Sequence, residues 1–273
     1  MKTLDGKKLS EGILGNLKKE IKKRKLRLRL AVVQVGENPV SQIFINQKKK
    51  ACERVGVDFK LYKLPAKINT SEFRKEIEKI AKNSANSGVI IQLPLPKKFL
   101  PEIFLNLIPE EKDIDCLSEK SLGKFYQGTL KILPPTVQGI LYFFKNYKIK
   151  LKGKNVVIVG AGRLVGNPLA LRLLQKKATI SVLNEFTVDA PFFIKKADIL
   201  ISGVGKPNLI TGRMVKKGAV VIDAGTSLKK GELTGDVELK SVFKKASYIT
   251  PVPGGVGPMT VACLIENLVK LNL

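Results

Sequence analysis

Asn155-Val156-Val157-Ile158-Val159-Gly160-Ala161-Gly162-Arg163-Leu164-Val165-Gly166-Asn167-Pro168 is the stretch on which the fold of this chain turns. A β-branched run ends abruptly in glycines and a helical pattern follows, so a buried strand passes directly into a helix. Asn167 and Pro168 are expected as the helix N-cap and first helical residue, where a missing N–H is harmless. Glycines at 160, 162 and 166 let a ligand approach the backbone N–H groups at the start of a helix, the arrangement that holds a dinucleotide pyrophosphate. The G-x-G-x-x-x-G spacing is one residue longer at the third glycine than the common fingerprint. Its strand-turn-helix context therefore carries much of the inference.

Working outward, short β-branched runs alternate with helical patterns along the whole chain, with strands expected at 28–35, 59–64, 89–93, 156–159, 179–183, 199–202 and 219–223. That alternation predicts βαβ units and parallel sheets, an α/β fold. A proline-rich, charged stretch from about residue 94 to 135 reads as the passage between two domains, which the length of 273 residues accommodates. No internal repeat is visible.

With 44% apolar and 26% charged residues the composition is that of a folded enzyme, not a disordered chain. The 49 Lys and Arg against 23 Asp and Glu give +26. The charge is mostly lysine, scattered from Lys2 to Lys270, and its densest cluster around Lys18 to Lys25 lies opposite Ile13, Leu17 and Ile21 on an amphipathic helix. No nucleic-acid recognition motif accompanies it, so no specific nucleic-acid partner is expected, although the field attracts small anions. Cys52, Cys116 and Cys263 are isolated thiols, which predicts a reducing compartment and no metal site. Residues 1–8 lack the apolar core of a signal peptide and no apolar run is long enough to span a bilayer; the expectation is a cytoplasmic protein without membrane partners. Histidine is absent, which removes Ser-His and Cys-His schemes and leaves Lys, Asp, Glu, Tyr or Cys for acid-base work.

Beyond the glycine turn, Glu185 ends the next expected strand, where a carboxylate accepts hydrogen bonds from an adenosine ribose and repels a 2′-phosphate. A plain surface acid is its competing account, and Arg163 could pair with a phosphate, which keeps NAD and NADP both open. Val204-Gly205 and Thr226 follow two further strands and would line the nicotinamide side, or else simply pack their turns. In the first half, Phe44, Lys48, Cys52 and Val55 recur at helical spacing after Asn38-Pro39. Lys48 thus emerges from an apolar face, where desolvation lowers its pKa and suits it to general acid-base catalysis, while Lys49 and Lys50 read as solvated charges. Gln92, ending an apolar strand before Leu93-Pro94, could orient that lysine. Asp115 could anchor a heteroaromatic amine or merely cap its loop. Finally, residues 250–260, Thr-Pro-Val-Pro-Gly-Gly-Val-Gly-Pro-Met-Thr, form an elbow of three prolines and three glycines leading into an apolar helix. It reads as a ligand wall or as an ordinary strand-to-helix turn.

Taken together, residues 35–41 with the helix to Lys48 and Lys50, then 91–96, Lys112-Asp113-Ile114-Asp115, 160–168 and 250–260 resemble the bifunctional methylenetetrahydrofolate dehydrogenase/cyclohydrolase family across essentially the whole chain. The resemblance implies a catalytic domain at 1–115 and a Rossmann domain at 116–257, with a cleft between them. The helix 258–273 returns to the first domain. It also implies oxidation of 5,10-methylenetetrahydrofolate with NAD or NADP, hydrolysis of the methenyl product to 10-formyltetrahydrofolate, and a homodimer. Lys48, Gln92 and Asp115 then resemble the catalytic lysine, its holder and the pterin anchor. Phe44, Pro253, Gly254, Gly255, Gly257 and Pro258 resemble the substrate wall. Thr136, Gly160, Ala161, Gly162, Arg163, Val165, Gly166, Glu185, Val204, Gly205 and Thr226 fall at cofactor positions.

Some positions depart from that pattern. Phe44 replaces a usual tyrosine, which predicts weakened or absent cyclohydrolase. Gly160-Ala161-Gly162 and Leu183-Asn184-Glu185 lack groups that favour a 2′-phosphate. Pro134-Pro135-Thr136-Val137 stands for the family's Pro-Cys-Thr-Pro, and Cys116 for a glycine. Rival expectations are a nicotinamide-dependent dehydrogenase of another small anion, using Lys48 and Asp115, and a non-catalytic folate-binding scaffold.

Overall fold

The computed structural model describes residues 2–229 and 231–273. Chain contacts divide it into two compact units, one made of residues through Leu9 with Thr136–Thr260, the other of Ser10–Pro135 with Val261–Leu273. The short strand β1 (Lys2–Thr3) belongs to the first unit, and α1 (Gly6–Arg24) leads into the second.

The second unit is built on β2 (Arg29–Val35), β3 (Asp58–Leu64) and β4 (Gly88–Ile91), interleaved with α2 (Pro39–Val55) and α3 (Thr70–Lys82). The strands form a parallel sheet in the order β3-β2-β4, with Leu30 opposite both Phe59 and Gly88. Because side chains alternate across a strand, Leu30 and Val32 join the cluster of Ile45, Cys52, Val55, Leu264 and Leu268. Ala31, Val33 and Val35 face the other way, into Phe73, Ile77, Phe99 and Phe104. Both faces are covered, which is why β2 reads as a nearly unbroken apolar run.

The stretch expected to be an irregular passage carries more structure than that. It holds α4 (Pro101–Leu105), a 3-10 turn at Glu110–Lys112 and α5 (Glu119–Gln127), and it stays with the three-stranded unit. Phe104, Leu105 and Phe125 are buried, and Ser118 caps α5 by accepting the Ser121 N–H at 3.3 Å. Asn267 Nδ2 donates to the carbonyls of Ile114 and Leu133, at 2.9 and 2.8 Å, and so ties the two ends of this stretch to the C-terminal helix.

In the other unit α6 (Pro135–Asn146) precedes β5 (Asn155–Val159), α7 (Gly166–Gln175), β6 (Thr179–Leu183), α8 (Ala190–Lys195), β7 (Ile199–Ser202) and β8 (Val220–Asp223). A small antiparallel hairpin, β9 (Ser227–Lys229) and β10 (Glu232–Thr234), is followed by α9 (Leu239–Phe243), β11 (Tyr248–Ile249) and α10 (Val256–Leu271), whose residues from Val261 on belong to the three-stranded unit. The main sheet is six-stranded and parallel, in the order β1-β11-β8-β7-β5-β6. Chain direction across the sheet reverses at β5, so the carboxyl end of β5 is the switch point where such sheets bind ligands.

Two local expectations are corrected here. α7 starts at Gly166 with Val165 at its N-cap, so Asn167 and Pro168 lie inside the first turn, and the Asn167 N–H goes to the Gly162 carbonyl at 3.1 Å. Likewise α10 starts at Val256, which puts Gly257 and Pro258 in a helical first turn, where proline is tolerated because no N–H partner is missing. Among the described residues no helix is long and apolar enough to cross a membrane.

Candidate active site

α2 begins with Asn38, whose side chain accepts the Ser41 N–H at 2.9 Å, continues through Pro39 at its first turn, and ends at Gly56 in the left-handed region with φ 82°. Such a well-terminated helix holds its buried stripe of Ser41, Ile45, Lys48, Cys52 and Val55 in a fixed register. Lys48 is only 9% exposed, whereas Lys49 and Lys50 lie in solvent. Its Nζ donates to Gln92 Oε1 at 2.8 Å. Gln92 in turn donates through Nε2 to the Leu93 carbonyl at 2.9 Å, which also accepts the Ser41 hydroxyl at 3.2 Å. A carbonyl can only accept, so this contact turns the amide oxygen of Gln92 toward Lys48. The Gln92 backbone N–H adds one more bond to the sheet, to Val33 at 2.8 Å.

Asp115 lies near this lysine on a loop that is anchored on both sides. Lys112 Nζ donates to the Ala81 and Asn83 carbonyls, both at 2.8 Å, at the end of α3. Asp113 accepts the N–H groups of Leu117 and Ser118, at 3.2 and 2.9 Å. The loop-capping role that was the competing account of Asp115 is therefore filled by Asp113. Asp115 makes no hydrogen bond to the described residues. Cys116, where a glycine was the expected habit, takes φ 58°.

Burial dominates the electrostatics of both groups. It lowers the pKa of Lys48, against the opposing pull of Asp115, and it pushes the Asp115 carboxyl up to about 6, against the pull of Lys48 and with help from Asp113. The two shifts run toward each other, the direction that favours proton exchange between the groups. The Cys52 thiol, one turn beyond Lys48, is pushed up to about 12 chiefly by burial and is no nucleophile. Phe44, one turn before Lys48, is partly exposed.

In the six-stranded unit the glycine turn sits at the switch point. Gly160 has φ 103°, and its N–H bonds the Leu183 carbonyl at 2.8 Å. A Cβ on Gly166 would fall on the Gly160 carbonyl oxygen, so only glycine lets α7 start there. A Cβ on Gly162 would meet nothing within 4 Å; with Ala161 it lies in solvent, open to a ligand, while Arg163 and Val165 are partly buried. Gly203 packs on Val165, and Gly160 on Val204. Gly205 lies beside the Thr226 carbonyl at 3.5 Å from a would-be Cβ. Glu185 is exposed in the turn directly after β6. The residues at 160–166, 185, 204–205 and 226 thus gather at the carboxyl ends of β5, β6, β7 and β8, a cradle that fits a dinucleotide. Thr136 is apart from these contacts: its hydroxyl accepts that of Thr260, at 3.2 Å, on the first turns of α10. The elbow residues Pro253, Gly254 and Gly255 precede that helix, and the Gly254 carbonyl accepts the Lys7 N–H at 3.0 Å.

Sequence reasoning missed the two carboxylates that shape these turns. Asp236, fully buried, accepts the Ser202 hydroxyl and the Val204 and Lys206 N–H groups, each at 2.7 Å. Asp223 accepts N–H groups from Gly225, Asp236 and Val237, and burial pushes its carboxyl up to about 6. The one available signal was Gly235-Asp236-Val237, an acid between a glycine and an apolar residue just after a polar hairpin. Among the described residues no group of three or more Cys, Asp or Glu side chains could hold a metal ion.

Two family models match the chain: the catalytic domain of tetrahydrofolate dehydrogenase/cyclohydrolase over residues 4–115, and the NAD(P)-binding domain of the same enzymes over 134–272. The chain belongs to the tetrahydrofolate dehydrogenase/cyclohydrolase family. It is 44% identical over 274 residues to the bifunctional protein FolD of Nautilia profundicola, covering 99% of this chain and 96% of that one. The crystal structure of the bifunctional FolD enzyme from Campylobacter jejuni superposes with a TM-score of 0.93 at 40% identity, covering 99% of this chain and 98% of that one. FolD from Trypanosoma brucei, solved with NADP and an inhibitor, gives 0.92 at 32% identity, covering 98% and 95%. Within this family the three-stranded unit carries the catalytic-domain match with Lys48, Gln92 and Asp115. The six-stranded unit carries the NAD(P)-binding match with the glycine turn, so the cofactor is a nicotinamide dinucleotide.

Proposed function

We propose that this chain oxidises 5,10-methylenetetrahydrofolate to the methenyl form and hydrolyses that product to 10-formyltetrahydrofolate. The observation that carries the reading is the Lys48–Gln92 hydrogen bond on a buried, desolvated lysine beside Asp115. When bound, the nicotinamide supplies the hydride acceptor for the first step. The chain's own share of that step is positioning, since a nitrogen lone pair of the folate drives hydride departure. Asp115, with its carboxylate uncommitted, accepts hydrogen bonds from the amino and ring N–H groups of the pterin. In the second step Lys48, whose proton affinity burial lowers, takes a proton from the water that adds to the methenyl carbon and returns it to the departing nitrogen. Gln92 holds the amine in line. Phe44 brings no hydroxyl to this proton path, so hydrolysis runs slower than oxidation.

The glycine turn Gly160-Ala161-Gly162-Arg163 with Val165 and Gly166 receives the pyrophosphate, Glu185 the adenosine ribose, and Val204, Gly205, Thr226 and Thr136 the nicotinamide half. NAD is the preferred cofactor. An exposed carboxylate at Glu185 repels a 2′-phosphate, and Arg163 is already engaged with the protein. Pro253, Gly254, Gly255, Gly257, Pro258 and Phe44 contribute the apolar wall against the folate. β6 ends the six-stranded sheet with its edge unpaired, and Val182, Leu174, Phe186 and Val188 beside it are exposed, which supports a homodimer through this edge. The enzyme acts in the cytoplasm. A hydride-transfer assay with 5,10-methylenetetrahydrofolate, run separately with NAD and NADP, tests substrate and cofactor together. Absence of reduction with either one overturns the reading.

A further inference from the structure

At the amino ends of the strands in the six-stranded sheet a cavity of about 240 Å³ opens between the approach to β5 and the starts of β7, β8 and β11. Lys148, Lys150, Lys154, Lys216 and Lys217 line it, with Asp198 as its acid. Lys216 Nζ is committed to Asp198 Oδ1 at 2.7 Å, and that carboxylate also accepts the Asn155 N–H at 3.0 Å, which holds its pKa below the usual range. Lys154 also acts on Asp198 electrostatically, whereas the ammonium groups of Lys148, Lys150 and Lys217 make no hydrogen bond or ion pair with the described residues. Three charges without a partner around one concavity, beside two lysines that share one acid, repel one another unless an anion sits among them. The cavity walls strengthen that field. Tyr147 and Tyr248 meet edge to face at 5.9 Å, the Tyr147 hydroxyl accepts the Asp5 N–H at 3.0 Å, and Ile149 and Val220 add apolar surface.

This cavity is separate from the dinucleotide cradle. The cradle lies at the carboxyl ends of the same strands, and β5 alone, five residues long, sets the two apart by about 16 Å at ~3.3 Å per residue. The volume falls below the roughly 300–1,000 Å³ of sites for drug-sized molecules, so the occupant is compact. A long groove with stacking platforms, which a nucleic-acid strand needs, is not what these residues form. We infer that the cavity binds a compact polyphosphate of two or three phosphate groups, either free or as the tail of a nucleotide. Neutralising the lysine ring is its effect on the fold, and tighter packing of the amino ends of β5, β7 and β8 follows.

Isothermal titration of the full chain tests this, with sodium tripolyphosphate, ATP and sulfate at matched ionic strength and with saturating NADH present to fill the glycine turn. One tripolyphosphate per chain is expected, with sulfate binding at least tenfold more weakly. If ATP binds as tightly as tripolyphosphate, the phosphate run is the recognised group; tighter binding by ATP assigns a nucleotide. The double variant Lys150→Glu with Lys217→Glu, both exposed, melts no lower than the parent, keeps its dehydrogenase rate and binds tripolyphosphate at least tenfold more weakly. Equal binding by variant and parent, several weak sites per chain, or no heat at all overturns the inference. So does displacement of tripolyphosphate by duplex DNA at equal phosphate concentration.

Discussion

Replacing Asp115 by asparagine should make the enzyme worse and should change the stability of the protein relative to the parent in a defined way with pH. Burial raises this carboxyl from 3.8 to about 6, so the folded state holds the proton more tightly than the unfolded state does. Stability from this group is fully present below pH 3.8 and is lost as pH rises through about 6. At 1.36 kcal/mol per pH unit the whole loss is about 3 kcal/mol; the titration curve places roughly half of it below pH 5 and about 1.4 kcal/mol between pH 5 and 8. Asparagine does not titrate, so the variant should gain about 1.4 kcal/mol on the parent across that window. Asp223, also near 6, is present in both proteins and cancels. Removing the carboxylate also leaves Lys48 without its pull, which lowers the lysine pKa further; that costs stability while the lysine is protonated, and because the cost fades as pH rises the trend with pH runs in the same direction. Urea unfolding followed by circular dichroism at pH 5, 6, 7 and 8 reads this difference. In kinetics the variant should lose a charge-assisted hydrogen bond to the folate, about 1.5–3 kcal/mol or 10- to 150-fold in kcat/KM. Parallel stability curves for parent and variant would show that Asp115 is solvated and that the convergence with Lys48 is not real.

Three further substitutions probe separate parts of the site. Phe44→Tyr should raise hydrolysis of methenyltetrahydrofolate by 10-fold or more and leave hydride transfer within about twofold; robust hydrolysis by the parent, unchanged in the variant, refutes the role given to the missing hydroxyl. Glu185→Ser should raise kcat/KM with NADP at least tenfold over the parent while that with NAD falls, measured as initial rates at 340 nm; an unchanged ratio means this acid does not read the ribose. Asp236→Asn replaces a carboxylate that accepts three donors with a group that accepts through one oxygen only. It should destabilise the six-stranded unit by about 2–3 kcal/mol and raise KM for the dinucleotide more than KM for the folate, which thermal melting and steady-state kinetics check.

The fold was largely legible because buried parallel strands must be apolar on both faces. All seven expected strands are present, with edges shifted by a residue or two: the run 89–93 is a strand only to Ile91, because Gln92 and Leu93 turn toward the site. What escaped were the elements with no such signature. β1 and β11 have two residues each, and β9 and β10 carry Lys, Glu and Thr on a solvent-facing hairpin, so no hydrophobic period marks them. The helices of 94–135 escaped for a different reason: Pro101 and Pro109 read as breakers, yet Pro101 sits at a helix start, where proline fits, and three phenylalanines pack Phe73, Phe99 and Phe104 at 4.2–5.3 Å beneath the stretch.

For the site, spacing alone distinguishes Lys48 from Lys49 and Lys50, because one position on a helix faces the core and its neighbours do not. Spacing cannot distinguish Asp113 from Asp115. Two residues apart on a loop, either could cap or bind, and the choice is made by which one finds backbone N–H groups. Asp113 takes those of Leu117 and Ser118, a geometry created by the left-handed Cys116 between them. That residue stands where a glycine was expected, so the strain of a non-glycine at φ 58° is borne by the turn that keeps Asp113 occupied and Asp115 uncommitted. Cys116→Gly should accordingly relieve about 1 kcal/mol of strain without releasing Asp113, and leave the folate KM of the parent unchanged. A raised KM would mean that the thiol, not the turn, holds Asp115 in place.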